Sequence, residues 1–478
     1  MNKLFKKFME FAIGNGLTMI VGLLSTIIVS RMILPYEKGR ADIFITYTSL
    51  MVLILTMGID QAYVRYFNEE NENSRGKLLR NSVKIPIILN LIFSIIILMF
   101  YKKISEYMVG ETSFILVILF ALHSLFSIIN NFAMMNVRMK QKAKTYSILG
   151  ITNKLAFIIL IIILFYIFKN NYITLVLATV LANIIATLLA IFIEREDWLN
   201  FNENFELSTS SKDLISYGAP FIFSMAITWI FQSIDRISIQ LLSNYTELGL
   251  YGGAMNIIAI LNAVQWSFTT FWIPVAYDKY SKEPEDVSFF SNISEIVSII
   301  MFISAIVLIS TKDILIMILG KEYQGAQFIF PFLVLMPIMY TISETTVLGI
   351  NFKEKTKYHV YIASFSAIFN IAGNLILVPK YGAKGAAIST GLAYVIFFIS
   401  RTYYGNKYYK IKISLKNFWI SATLVYSLAA YSSIYKFDYV ILFLSIVSII
   451  LILFMYRKTI KILIKSIIKK DSSFIDNI

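Results

Sequence analysis

Long apolar runs separated by short polar breaks set the pattern of this chain from one end to the other. The runs fall at about 10–34, 41–62, 84–101, 113–135, 147–168, 173–193, 214–242, 249–276, 291–311, 327–350, 359–378, 385–405, 418–435 and 438–456. Each is long enough, as a helix rising about 1.5 Å per residue, to cross about 30 Å of hydrocarbon. A transmembrane barrel would show alternating segments of about ten residues, and these do not dominate. The pattern predicts an all-α polytopic membrane protein with about 14 transmembrane helices.

The polar breaks carry the orientation. With the N-terminus inside, the inner segments hold about thirty Lys and Arg and the outer loops about ten, a threefold bias that places both termini in the cytoplasm. Arg31, Lys154 and Arg236 fall inside spans. The longest polar interval runs from Glu194 to Asp213 and is the natural linker between two bundles. The opening MNKLFKKFMEF resembles a signal-peptide n-region, but the apolar stretch behind it is too long and lacks a cleavage site, so it reads as a retained first span. The tail from Arg457 to Lys470 alternates basic and Ile/Leu residues, which suits either an amphipathic helix on an anionic leaflet or a solvated topogenic tail.

Composition agrees with this picture. Of 478 residues 58% are hydrophobic and 15% charged, and the mean hydropathy is +0.71, against roughly 45–50% apolar in soluble domains. The net charge of +14 lies in short loops between spans, so it reports topology rather than nucleic-acid binding. Without cysteine there is no disulfide, thiolate metal site or cysteine nucleophile.

Candidate chemistry concentrates around residues 214–256, where an apolar helix carries Gln232, Asp235 and Arg236 near its far end. A charge at a helix centre costs about 2.5–3.5 kcal/mol on insertion scales and usually faces a bundle interior or wet cavity; the alternative for Arg236 is snorkelling to headgroups. An earlier counterpart exists. Gly14 and Gly218 align, Arg31 and Arg236 follow 17 and 18 residues later, and the turns LPYEKG (34–39) and NYTELG (244–249) come next. Six spans separate the copies, which implies parallel repeats related by an axis along the membrane normal. Lys154, in the fifth span, reads as a snorkelling or a cavity residue. Asn15, Gln232, Asn256, Asn262 and Gln265, with Trp229 and Trp266, are the neutral polar and aromatic residues of the first, seventh and eighth spans, where interhelical hydrogen bonding and interfacial anchoring are their plain roles.

Other chemistry is missing from the chain. No GxxxxGK[ST] phosphate loop occurs, and no HExxH or GxSxG. The two histidines, His123 and His359, are isolated on apolar spans. The longest polar interval, about twenty residues, is too small to house a catalytic domain.

Several of these stretches resemble one family. Arg31, Leu34, Pro35, Gly39, Gln61, Ala62, Arg65 and Tyr66 in the first hairpin resemble the opening of bacterial polysaccharide flippases of the multidrug/oligosaccharidyl-lipid/polysaccharide exporter superfamily. Leu34 and Lys38 depart from that pattern. GAPFIFS (218–224), SIDRISI (233–239), ELGLYGGA (247–254) and LVPKYGAKGAAIST (377–390) are similar to later motifs of the same family.

That resemblance implies two six-helix lobes in pseudo-two-fold arrangement around a cavity, residues 1–200 and 201–416, with two further helices and a basic cytoplasmic tail in 417–478. It implies flipping of undecaprenyl-pyrophosphate-linked oligosaccharide across the bacterial cytoplasmic membrane by alternating access, for surface polysaccharide assembly. On this reading Arg31 and Arg236 pair with the pyrophosphate, since guanidinium offers multi-donor pairing without deprotonation. Asp235 pairs with Arg31 or binds a coupling cation. Lys154, Asn15, Gln232, Asn256 and Gln265 complete a substrate-binding set with no catalytic or metal residue. The expected partners are the lipid-linked oligosaccharide, membrane lipids, and a polysaccharide polymerase and glycosyltransferases. No cofactor is expected, with energy drawn from a Na+ or H+ gradient. The rival readings are cation-coupled drug or small-molecule efflux, flipping of the peptidoglycan lipid precursor, and, from another class, a membrane polysaccharide polymerase.

Overall fold

Helices form wherever an apolar run lets backbone amides pair within one segment, the requirement that hydrocarbon imposes. The structure, a computed structural model, describes residues 3–200, 207–412 and 414–461, with side chains described from 14 onward except 15. Among these there is no strand. The chain divides into two compact units, Met1–Arg236 and Ile237–Ile478.

The first unit contains α1 (Lys3–Met32), α2 (Pro35–Thr56), α3 (Ile59–Tyr66), α4 (Arg75–Met99), α5 (Tyr101–Val109), α6 (Phe114–Met139), α7 (Ala143–Phe168), α8 (Tyr172–Ile193), α9 (Arg195–Leu199) and most of α10 (Ser211–Leu242). The second holds α11 (Tyr245–Lys282), α12 (Val287–Ser310), α13 (Lys312–Met317), α14 (Phe330–Thr346), α15 (Leu348–Phe352), α16 (Lys357–Tyr408), α17 (Leu415–Ser432) and α18 (Tyr439–Met455). Nine helices among the described residues are long and apolar enough to cross a membrane, ten if the bent pair ending in α14 counts as one span. The protein is thus a multi-pass membrane protein. The 52 residues of α16 cover two of the runs read from sequence and break at Gly382, where φ is +55° and ψ −136°.

Each unit has its own core. In the first, Phe44, Phe120, Leu116 and Val176 pack with Tyr172 on one side, and Ile59, Tyr63, Leu78 and Phe132 on the other. In the second, the small residues Gly385, Ala386, Ala387 and Ser389 are buried, and Gly391 meets Phe332 of α14. Small residues let helices approach where lipid gives no hydrophobic drive to association.

The polar interval from Glu194 to Asp213, within the first unit, is held down at both ends. Glu194 accepts from Lys140 at 2.8 Å, and Asp197 from Asn136 at 2.6 Å and from Lys140. At the far end Glu70 accepts from the Ser208 hydroxyl at 2.7 Å and the Thr209 amide at 2.8 Å. Beyond it α10 touches α2, α3 and the break between them at a few points. Gly218 touches Gly58 so closely that an added Cβ would come within 2.6 Å of the Gly58 carbonyl carbon. Trp229 donates to Ser49 at 2.8 Å, and the Tyr66 and Tyr217 rings meet edge-on at 5.8 Å. These contacts explain why the boundary between compact units falls at Arg236, inside α10. Of the basic tail, residues 462–478 lie outside the described residues.

Candidate functional site

The apolar helices that carry Arg31, Lys154 and Arg236 have few polar atoms to offer them. Arg31 stands in the last turn of α1 and is exposed. Lys154 is exposed on α7, about 16 Å along the helix from Ala143. Ser147 and Gly150 face α1 at Gly14 and Thr18, and Lys154 continues that face one turn further on. Arg236 is half-buried, while its neighbour Asp235 is buried. None of these three cations forms an ion pair among the described residues.

The remaining site residues are distributed as follows. Gln232 is exposed on α10. In the second unit, Asn256 is half-buried on α11, and Gln265, buried, donates to Thr269 at 3.1 Å. Gln265 therefore has an intrahelical partner. The Asn15 side chain lies outside the described residues. Trp229 anchors to Ser49, whereas Trp266 is 65% exposed.

Other charges near the spans are committed to the scaffold. Arg401 of α16 donates to Glu344 of α14 at 2.7 Å and to Ser343 at 2.8 Å, with both charged side chains buried. Lys38 pairs with Asp42, and Arg40 with Glu37 and Glu111. Sequence reading counted Lys38, Arg40 and Arg401 among loop charges. Glu344 lies 57 positions from Arg401 and Glu111 lies 71 from Arg40, too far to be read from spacing, whereas Asp42 is one helical turn from Lys38. His123 stacks on Phe44 at 5.6 Å and His359 meets Asn351 at 2.8 Å, so both have packing roles. Buried polar groups also gather between the halves of α16, where Ser389 donates to Asn370 Oδ1 at 2.7 Å and Thr390 lies 3.5 Å from the Asn370 amide.

The internal repeat has a structural counterpart. Glu37, in the first turn of α2, accepts the backbone N–H of Tyr172 at 2.8 Å and so caps α8. Glu247, at the same place in the first turn of α11, accepts the N–H of Ala383 at 2.9 Å and caps the second half of α16. Unpaired amides at a helix start favour a carboxylate. These glutamates are 210 positions apart, whereas Gly14 and Gly218 are 204 apart. Counted from its glutamate, Arg31 lies six residues back and Arg236 eleven. The two arginines are therefore offset by five positions in the repeat's register, about 7.5 Å of helix rise.

The match to known proteins covers this whole arrangement. Residues 4–279, more than half of the chain, match the family described as polysaccharide biosynthesis protein. The chain belongs to this family. It is similar to the capsular polysaccharide biosynthesis protein CapF of Staphylococcus aureus, with 23% identity over 84% of this chain and 98% of that one. It is also similar to the Lsg locus putative protein 1 of Haemophilus influenzae, with 22% identity over 70% of this chain and 82% of that one. Its fold is that of the lipid II flippase MurJ in an inward closed conformation, with a TM-score of 0.72 and 15% identity over 94% of this chain and 99% of that one. An inward-facing multidrug transporter of the MATE family shares the fold at a TM-score of 0.59, with 15% identity over 82% of this chain and 94% of that one. This polysaccharide biosynthesis protein thus has the fold of membrane flippases and transporters rather than of an enzyme.

Proposed function

We propose that the protein flips undecaprenyl-pyrophosphate-linked oligosaccharide repeat units across the bacterial cytoplasmic membrane by alternating access, with both termini cytoplasmic and residues 1–200 and 201–416 as the moving lobes. The observation that carries this reading is the contrast among charges. Arg401, Arg40 and Lys140 are paired within the protein, while Arg31, Lys154 and Arg236 have no carboxylate partner among the described residues. Cations maintained in apolar helices without a protein counter-ion suit an anion that arrives and leaves. Family membership supports a saccharide cargo.

On this proposal the pyrophosphate is received by Arg31, Lys154 and Arg236. The offset of the two arginines in the repeat's register lets them engage it in succession. Asp235 takes a Na+ or H+ from the coupling gradient. Gln232, Asn256, Gln265 and Asn15 meet sugar hydroxyls, and no cofactor takes part. The flipped product is handed to a polymerase, after glycosyltransferases have built it on the inner leaflet.

The test is complementation in cells lacking the chromosomal copy. Arg31→Gln, Lys154→Gln and Arg236→Gln should abolish surface polysaccharide and accumulate a lipid-linked glycan, with the protein inserted at normal levels. Wild-type export in both arginine variants would remove the anion-pairing role. Drug hypersensitivity without glycan accumulation would favour efflux.

A further inference from the structure

A cavity of about 580 Å³ opens in the second unit beside the capping Glu247, with Asn244, Leu250, Phe328, Lys380 and Lys384 also in its wall. Such a volume lies within the range of small-molecule sites, about 300–1,000 Å³. Its chemistry becomes clear when the same place is found in the first unit.

The capping glutamates set the correspondence. Three residues beyond Glu37 stands Arg40, and three beyond Glu247 stands Leu250. In the first unit Arg40 fills the space. Its Nε donates to the Val109 carbonyl at 2.9 Å, its Nη2 lies 2.8 Å from Glu111, and its guanidinium sits 4.0 Å from the centroid of Tyr172. Tyr172 is the residue whose amide Glu37 caps. In the second unit the arginine is Leu250, and the capped position is Ala383, preceded by Gly382. The first unit thus closes this site with its own cation, carboxylate and ring, and the second leaves it open.

The open site has a definite character. Glu247, a carboxylate in its wall, is occupied with Ala383. Lys384 Nζ lies 5.5 Å from the Phe328 ring centroid, and Lys380 is exposed. Neither lysine forms an ion pair among the described residues. Asn244 and Ser243 add short polar groups at the edge, and Tyr381 a second ring. Two ammoniums without ion pairs among the described residues, Lys384 beside the Phe328 face and Lys380 exposed, together with the Ser243 hydroxyl, match a sugar that carries an acid: a ring covers its C–H face, and lysines meet its oxyanion. We propose that this cavity binds a saccharide bearing a phosphate or carboxylate. The inference concerns a second contact for saccharide and does not depend on the arginine site, so either can fail alone.

The full chain in phosphatidylcholine nanodiscs, acetylated by a lysine-reactive ester and read by mass spectrometry, tests it. Glucose 6-phosphate and glucuronate should each slow modification of Lys380 and Lys384 roughly tenfold relative to Lys353, and glucose should not. Leu250→Arg places in the cavity the plug that the first unit carries, and should abolish the protection of Lys384. Lys384→Gln, a surface change that leaves the fold intact, should weaken binding of glucose 6-phosphate by calorimetry roughly tenfold. Absence of protection by both acids, equal protection by glucose, or protection seen only when phosphatidylglycerol replaces phosphatidylcholine would each overturn the proposal, the last by assigning the site to a lipid headgroup.

Discussion

Glu247 accepts the backbone amide of Ala383 at 2.9 Å across 136 positions of chain. The equivalent carboxylate of the first unit, Glu37, accepts from Tyr172 at 2.8 Å. Each bond ties the start of one long helix, α2 or α11, to the start of a later one, α8 or the second half of α16. Gly382 has room for no side chain here, since a Cβ would stand 2.6 Å from Glu247 Oε2, and its φ is positive. Glu247→Ala and Glu37→Ala should each lower stability by about 1 kcal/mol, the usual worth of a lost N-terminal cap. Thermal unfolding in detergent measures this. An unchanged transition in both would show that the caps are decorative.

Arg401 and Glu344 join α16 to α14 in a setting from which water is largely excluded. Removing one partner strands the other charge, so Arg401→Met or Glu344→Leu alone should cost about 3–5 kcal/mol. The double variant should recover most of that loss, because no lone buried charge remains. Titration with dodecyl sulfate against retained helicity reads both; additive losses in the double variant would refute the pairing.

Gly58 and Gly218 let α10 approach the break between α2 and α3. Gly58 adopts φ +68°, beside Met57 at +51°, and its own Cβ would meet the Gly218 carbonyl oxygen at 2.2 Å. Gly218→Val should force the backbones apart at a cost of about 1–3 kcal/mol. Trp229 should then lose its Ser49 partner and its fluorescence move to longer wavelength. Retention of the wild-type spectrum would argue against this seam.

Glu70 holds Ser208 and Thr209 at the end of the polar interval. Burial opposes its charge, but hydrogen bonds from Ser208 and Thr209 outweigh that and bring its pKa below the ordinary 4.5. A lowered folded-state pKa means that this anchorage is complete above the ordinary value and is lost as pH falls through the lower one. Protection factors of the amides at residues 207–213, exchange rates divided by their intrinsic pH dependence, should therefore be constant between about pH 5 and 8 and fall below about pH 4. Glu70→Gln should lower them above about pH 5. Equal protection in the two proteins across this range would rule the anchor out.

Much of this architecture was legible in one dimension. Apolar runs specify helices because hydrocarbon leaves the backbone no other partner, and this holds whatever the neighbours are. The turns at 34–39 and 244–249 revealed the repeat, and the glutamates within them proved to be its structural anchors. The aligned glycines Gly14 and Gly218 gave a register six positions different from that of the caps, because small residues recur freely in apolar sequence and a hydrogen bond does not.

Pairing was what only the tertiary structure decided. Sequence spacing can resolve contacts three or four residues apart on one helix, a range that includes Lys38 with Asp42 but not Arg401 with Glu344, or Arg40 with Glu111. The same limit hid the open cavity, since Leu250 acquires meaning only when its counterpart Arg40 is seen filling the corresponding space. Composition and period dictate that the chain enters a membrane as a set of helices; which charges are satisfied there, and which stay available to a ligand, depends on distances between segments that no local pattern encodes.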